Sequence, residues 1–112
     1  KIRKVEFKAL WDIANFYFYF KVFDSEIHTQ ITNNFIEDIN CSDRVELFFR
    51  TDKLMTPYYC LEMDSTSRLM DIKALPNRNF DFNWNWPKDD IFIKSNIENS
   101  FSKPRRGAAD LA

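Results

Sequence analysis

The amino-acid sequence predicts an all-β fold of antiparallel strands, and three observations lead there. Aromatic residues are in surplus, with 12 Phe, 4 Tyr and 3 Trp among 112 residues, and such side chains favour pleated, half-buried strands. Several runs alternate apolar and polar residues with the two-residue period of a strand. Glycine occurs once, at Gly107, so the chain must turn by other means. Asn and Asp, which tolerate left-handed backbone, stand at the breaks between runs.

Taken in order, Val5, Phe7 and Ala9 alternate with Lys4, Glu6 and Lys8 in a half-solvated first strand. Residues 11–15 make a connection. Residues 16–23 (FYFYFKVF) are apolar on both faces for most of their length, the pattern of a central strand covered on both sides. Residues 24–42 read as a long polar loop, with an irregular strand around 27–31 and no amphipathic helix. The runs 44–50, 58–64 and 69–74 then form a meander. Leu61 opposite Leu47 sets Met63 against Val45 and Tyr59 against Phe49. A tight turn at Thr66-Ser67 would place Ile72 opposite Leu61 and Met70 opposite Met63. One face is then wholly apolar, the condition that specifies register in a sheet packed on one side. An irregular aromatic stretch through Trp84 and Trp86 and a short strand at 91–94 complete the domain, read as residues 1–95. Residues 96–112 differ in composition and read as a flexible or foreign tail.

The same register carries an acidic row, with Glu46 opposite Glu62 and Glu62 opposite Asp71. Like charges directly across a strand pair destabilise it unless compensated. The row is a solvated face balanced by Arg44, Arg50, Arg68 and Lys73, or it is a site. With Arg68 at the turn it would suit polyhydroxyl groups, through charge-assisted hydrogen bonds, or a hard cation such as calcium. Paired carboxylates in acid–base roles are a third option.

Other chemistry is excluded. A net charge of −1, from 16 Lys+Arg and 17 Asp+Glu, lacks the basic excess of a nucleic-acid binder. One glycine cannot make a phosphate loop or dinucleotide fingerprint. His28 is the only histidine, so paired-His zinc motifs cannot form. Cys41 and Cys60 are too few for a disulfide framework, and the meander register sets them far apart. No apolar run approaches the ~20 residues of a membrane span.

Three segments have a familiar order: 16–24 (FYFYFKVFD), 43–49 (DRVELFF) and 58–71 (YYCLEMDSTSRLMD), followed by 80–87 (FDFNWNWP). The chain resembles, over about 7–94, the family 9 carbohydrate-binding modules and their bacterial relatives in the DOMON-like β-sandwich group. That resemblance implies an antiparallel β-sandwich of jelly-roll or immunoglobulin-like type. It also implies non-catalytic binding of a poly- or oligosaccharide, as a module of a secreted glycan-processing protein. The expected location is extracellular, at the cell surface or periplasmic. Glu46 matches the family's sugar-binding Glu, and Arg68 lies near a sugar-contacting Arg. The family's first stacking Trp is replaced here by Asn40-Cys41-Ser42, so Trp84 or Trp86 would have to supply the ring. The expected binding set is Glu46, Glu62, Arg68, Trp84 and Trp86, without cofactor unless calcium joins it.

The late strand pair that closes the family's sandwich is missing or replaced by the tail, which predicts either self-association through an exposed sheet edge or an incomplete sandwich. An interaction or structural β-domain without sugar binding is the alternative, and a glycan-active enzyme using Glu46 and Glu62 comes last. Some DOMON-like domains bind haem through His and Met. In the meander register, however, Met63 and Met70 pair in the core, so His28 reads as a solvated residue.

Overall fold

Alternation in the first third of the chain produces a hairpin. The computed structural model describes residues 1–98, and its contacts group them into two units, one built on Lys1–His28 and the other on Thr29–Ser95. In the first unit β1 (Ile2–Trp11) pairs antiparallel with β2 (Phe16–Asp24), from Trp11 opposite Phe16 back to Lys4 opposite Phe23. The connection is turned by Asp12, whose Oδ1 accepts the amides of Ala14 and Asn15 at 2.8 Å each. β2 has no other partner among the described strands, so it is not the central strand the apolar run predicts. Its second face shows why: Lys4 and Lys21 lie over the Phe23 ring and Lys8 over the Tyr19 ring. That face carries ammonium groups over its rings.

The second unit holds α1 (Phe35–Cys41) and a four-stranded antiparallel sheet. Its strand order is β3 (Arg44–Arg50), β4 (Tyr58–Asp64), β5 (Leu69–Leu75) and β6 (Asn79–Asp81). The helix corrects the reading of 24–42 as loop. Asn34 caps it by accepting the Glu37 amide at 3.2 Å, and the Asn-x-x-Glu spacing of Asn34 and Glu37 is an N-terminal helix signature. Residues 27–31 form no strand, and neither do 91–94, where a short strand was predicted. The last strand among the described residues is β6 instead, reached from β5 through left-handed Asn77 (φ 68°) and Arg78 (φ 60°).

The predicted register holds between β3 and β4, with Val45, Leu47 and Phe49 opposite Met63, Leu61 and Tyr59, and Glu46 opposite Glu62. Between β4 and β5 it is displaced by one residue: Leu61 faces Asp71, Glu62 faces Met70 and Met63 faces Leu69. The turn is the reason. The Asp64 amide donates to the Arg68 carbonyl at 3.2 Å, enclosing three residues rather than two, and Ser67 is left-handed at φ 68°. This is the three-residue hairpin loop that ends on a left-handed position. Asp64 holds it, its Oδ1 accepting the Thr66 amide at 3.0 Å, the Thr66 hydroxyl at 2.8 Å and the Arg68 amide at 2.9 Å.

A one-residue slip exchanges the faces of a whole strand. Glu62 and Asp71 therefore lie on opposite faces, as do Met63 and Met70, and neither the predicted acidic row nor the wholly apolar face exists. The core sits on the Glu62 face, where Cys60, Met70 and Ile72 are buried beneath Ile39 of α1. Across the sheet, Tyr59 is covered by Trp84 (5.0 Å between ring centroids) and Trp86 (5.8 Å). Asp71 accepts from the Asn85 side chain at 2.9 Å and from the Trp86 amide. The described chain is thus mostly β, in two antiparallel sheets. All but the first three residues of the predicted tail, 96–112, lie outside the described residues.

Turning without glycine is done largely by carboxylates. Asp12, Asp24, Asp52, Asp64 and Asp81 each accept the backbone amide two residues on. These side-chain turns replace backbone hydrogen bonds at the strand ends. Among the described Asn and Asp residues only Asn77 uses the left-handed conformation expected of them.

Candidate functional site

The loop before α1, the helix end and the β4–β5 turn converge on a buried polar network. Asp38, in α1, accepts the Thr32 amide and hydroxyl at 2.6 Å each and the Gln30 side chain at 3.1 Å. Arg68 donates from Nε to Asp64 at 2.6 Å and from Nη2 to the Gln30 carbonyl at 2.8 Å, with Nη1 3.9 Å from Asp38. The Ser42 hydroxyl donates to the Asp38 carbonyl and accepts the Gln30 amide. Burial pushes the Asp64 carboxyl up, but the Arg68 amide, Thr66 and the Arg68 guanidinium outweigh it and hold it below the usual aspartate range. Arg68 is thereby committed to structure, its side chain four-fifths buried.

The Glu62 face of β3 and β4 carries a second constellation. Period-two alternation on β3 puts Arg44, Glu46 and Phe48 on one face. Arg44 Nε donates to Glu62 at 2.5 Å and to Glu46 at 3.3 Å. Its Nη1 reaches the carbonyls of Ile39, Asn40 and Ser42 at 3.0–3.3 Å, satisfying the unpaired end of α1, where a cation is also favoured by the helix dipole. Glu62 is buried beneath Glu46, and burial followed by its hydrogen bond to Glu46 raises its carboxyl above the ordinary glutamate value, against the pull of Arg44. The adjacent Cys60 thiol is pushed up to about 12, first by burial and then by the Glu62 charge. It stays protonated and is no nucleophile at neutral pH.

What solvent meets here is a shallow groove of about 510 Å³ lined by Ser42, Asp43, Arg44, Glu46 and Phe48. The Glu46 carboxylate is 37 % exposed and the Phe48 ring 63 % exposed. β3 is the outer strand of its sheet, so nothing in the described sheet flanks the groove on that side. The structure therefore brings Glu46 and Glu62 together and places Arg68 in the neighbouring network. Trp84 and Trp86 lie on the opposite face, half-buried on Tyr59. Arg44 and Phe48 are site residues that strand alternation from Glu46 could have marked. His28 is exposed, Cys41 and Cys60 are both unbridged, and no group of three or more His, Cys, Asp or Glu side chains among the described residues is placed to hold a metal. No helix among the described residues is long and apolar enough to cross a membrane.

One consequence is measurable. A carboxyl raised in the fold takes up its proton more readily there than in the unfolded chain. Its contribution therefore favours folding in acid and fades as pH rises past the unfolded value of 4.5. Glu62→Gln removes that titration while keeping an acceptor for Arg44. Denaturant unfolding at a series of pH values should show the stability of the variant, relative to the parent, growing as pH rises above 4.5.

A scan against protein-family models, a search of curated proteins and a search of solved structures return no match to this chain.

Proposed function

We propose that this chain is a non-catalytic carbohydrate-binding domain of β-sandwich type, part of a secreted glycan-processing protein acting outside the cell, at its surface or in the periplasm. The observation that carries this reading is the half-exposed Glu46 carboxylate held by Arg44 in one groove with the exposed Phe48 ring. A carboxylate fixed by a guanidinium presents directed acceptors for sugar hydroxyls, and an aromatic face suits the C–H face of a pyranose. Phe48 takes the stacking role that the resemblance gives to a Trp. Glu62 and Arg68 support the site from below and beside it. Trp84 and Trp86, on the far face, serve packing.

Calorimetric titration against a panel of oligo- and polysaccharides, with and without calcium, tests this. Glu46→Ala and Phe48→Ala should each weaken binding at least tenfold, an effect of about 1.4 kcal/mol or more, while Trp84→Ala leaves it within about twofold. Equal binding without calcium supports a cofactor-free site. Loss with Trp84→Ala alone would move the site to the other face, and no binding to any glycan by the folded chain would sink the reading.

A second reading, an interaction domain without sugar binding, draws on the exposed aromatic face of the β1–β2 hairpin, which a sugar groove does not require. The enzymatic reading is weakened because Glu46 and Glu62 both accept from one atom, Arg44 Nε, at 3.3 and 2.5 Å, which crowds them together. Glycosidase carboxyl groups stand about 5 Å or more apart to admit the sugar or a water. Hydrolysis of a panel glycan would revive it.

A further inference from the structure

The register of the β1–β2 hairpin sorts its side chains completely. Val5, Phe7, Ala9 and Trp11 stand opposite Val22, Phe20, Phe18 and Phe16, and side chains of directly opposed residues share a face. Every residue of this set is apolar. The other set holds Lys4, Glu6, Lys8 and Lys21, three of them lying over rings of that same face. The apolar face is a continuous aromatic ladder: Phe7 is 4.8 Å from Phe20 and 6.3 Å from Phe18, Phe16 is 5.8 Å from Phe18, and Trp11 is 6.2 Å from Phe16. A two-stranded ribbon alone is marginal in water and needs a surface on which to bury such a face.

We infer that this face is the interface between two copies of the chain, packed hairpin on hairpin about a two-fold axis. The area is sufficient. Phe7, Trp11 and Phe16 are 51 %, 71 % and 66 % exposed, and Val5 and Val22 50 % and 42 %. With ~150–250 Å² for each fully exposed aromatic, these residues leave roughly 500 Å² per copy. Two copies bury roughly 1,000 Å², the threshold of a specific association. The chemistry selects the partner. Apart from the Trp11 indole N–H at one end, the face offers nothing for a charged or hydrogen-bonding partner to recognise, whereas an isologous contact supplies an equally apolar face by symmetry. A lipid surface is the competing occupant, since lysines on the face opposite the aromatics, as Lys4, Lys8 and Lys21 are, also suit an interfacial element; the vesicle measurement below separates the two. The inference concerns the hairpin alone and does not rest on the sugar groove.

Sedimentation of the full chain over a micromolar concentration series should show a concentration-dependent species of twice the 13.5 kDa monomer mass, and Phe7→Lys should abolish it. Because Phe7→Lys could unfold the hairpin, a second variant reads the geometry directly. Ala9→Cys, in a Cys41→Ser background, places a thiol at the centre of the face and should cross-link two copies under mild oxidation. A Glu6→Cys control on the other face should not. A monomer at every concentration would overturn the inference. So would a dimer that survives Phe7→Lys or cross-links through position 6, since association would then run through a strand edge or another surface. Sedimentation of the monomer with phosphatidylcholine vesicles would overturn it in favour of lipid.

Discussion

Arg68→Ala lowers the unfolding free energy by about 3–4 kcal/mol in chemical denaturation, an amount in the lower part of the range for breaking a buried ion pair because a fifth of the side chain remains in water. The loss comes from the groups left behind. Asp64, whose side chain is fully buried, keeps its charge without the guanidinium, and the Gln30 carbonyl loses its donor. Arg68→Lys recovers only part of the loss, because a single ammonium cannot serve Asp64 and Gln30 in the forked geometry of Arg. The acid side has a definite sign. Asp64 titrates below its ordinary value of 3.8 in the fold, so its contribution is present above that pH and fades as pH falls through the lower folded value. In the Arg68→Ala chain that acid-induced loss should be smaller and complete at higher pH, because one cause of the depression is gone.

Ile39→Ala is the second large effect, about 2–4 kcal/mol, with Ile39→Val near 1 kcal/mol. Ile39 is wholly buried and is the only residue of α1 in the cluster with Cys60, Met70 and Ile72. Truncation empties the contact between helix and sheet, and a seven-residue helix has too few turns to persist without it. The circular dichroism of the variant should therefore lose helical signal before strand signal on heating. Retention of both to the parent's melting point would contradict this account of the core.

How much of this was legible in the residues depends on where the determining contact lay. The first two strands and the β3–β4 register follow from side-chain alternation within a few residues, although β2, read as a central strand, pairs with β1 alone among the described strands. The helix was legible too, through Asn34 and Glu37, but 24–42 is polar enough to pass for loop when the cap is overlooked. The β4–β5 register was not accessible from alternation alone, because both candidate turns pair apolar with apolar for much of the strand. Three hydrogen bonds to Asp64 decide between them, and they exist only once the chain has turned. The same slip separates Glu62 from Asp71 and leaves Glu46 with Arg44 as the exposed polar pair. Trp84 and Trp86 read as sugar-stacking candidates, and alternation shows only that an aromatic pair two residues apart on an extended segment presents one side to whatever it crosses. That it crosses Tyr59, away from Glu46, depends on Asp71 having turned to that side.

The loop between β4 and β5 also constrains how this chain can change. Its length acts as a parity bit: an odd count between Asp64 and Arg68 seats Met70 and Ile72 beneath Ile39, and an even count would seat Asp71 and Lys73 there. Insertions or deletions in this loop are therefore tolerable only in pairs, whatever residues they contain. A drifting sequence is free to replace Ser65 or Thr66 far more readily than to lose either one.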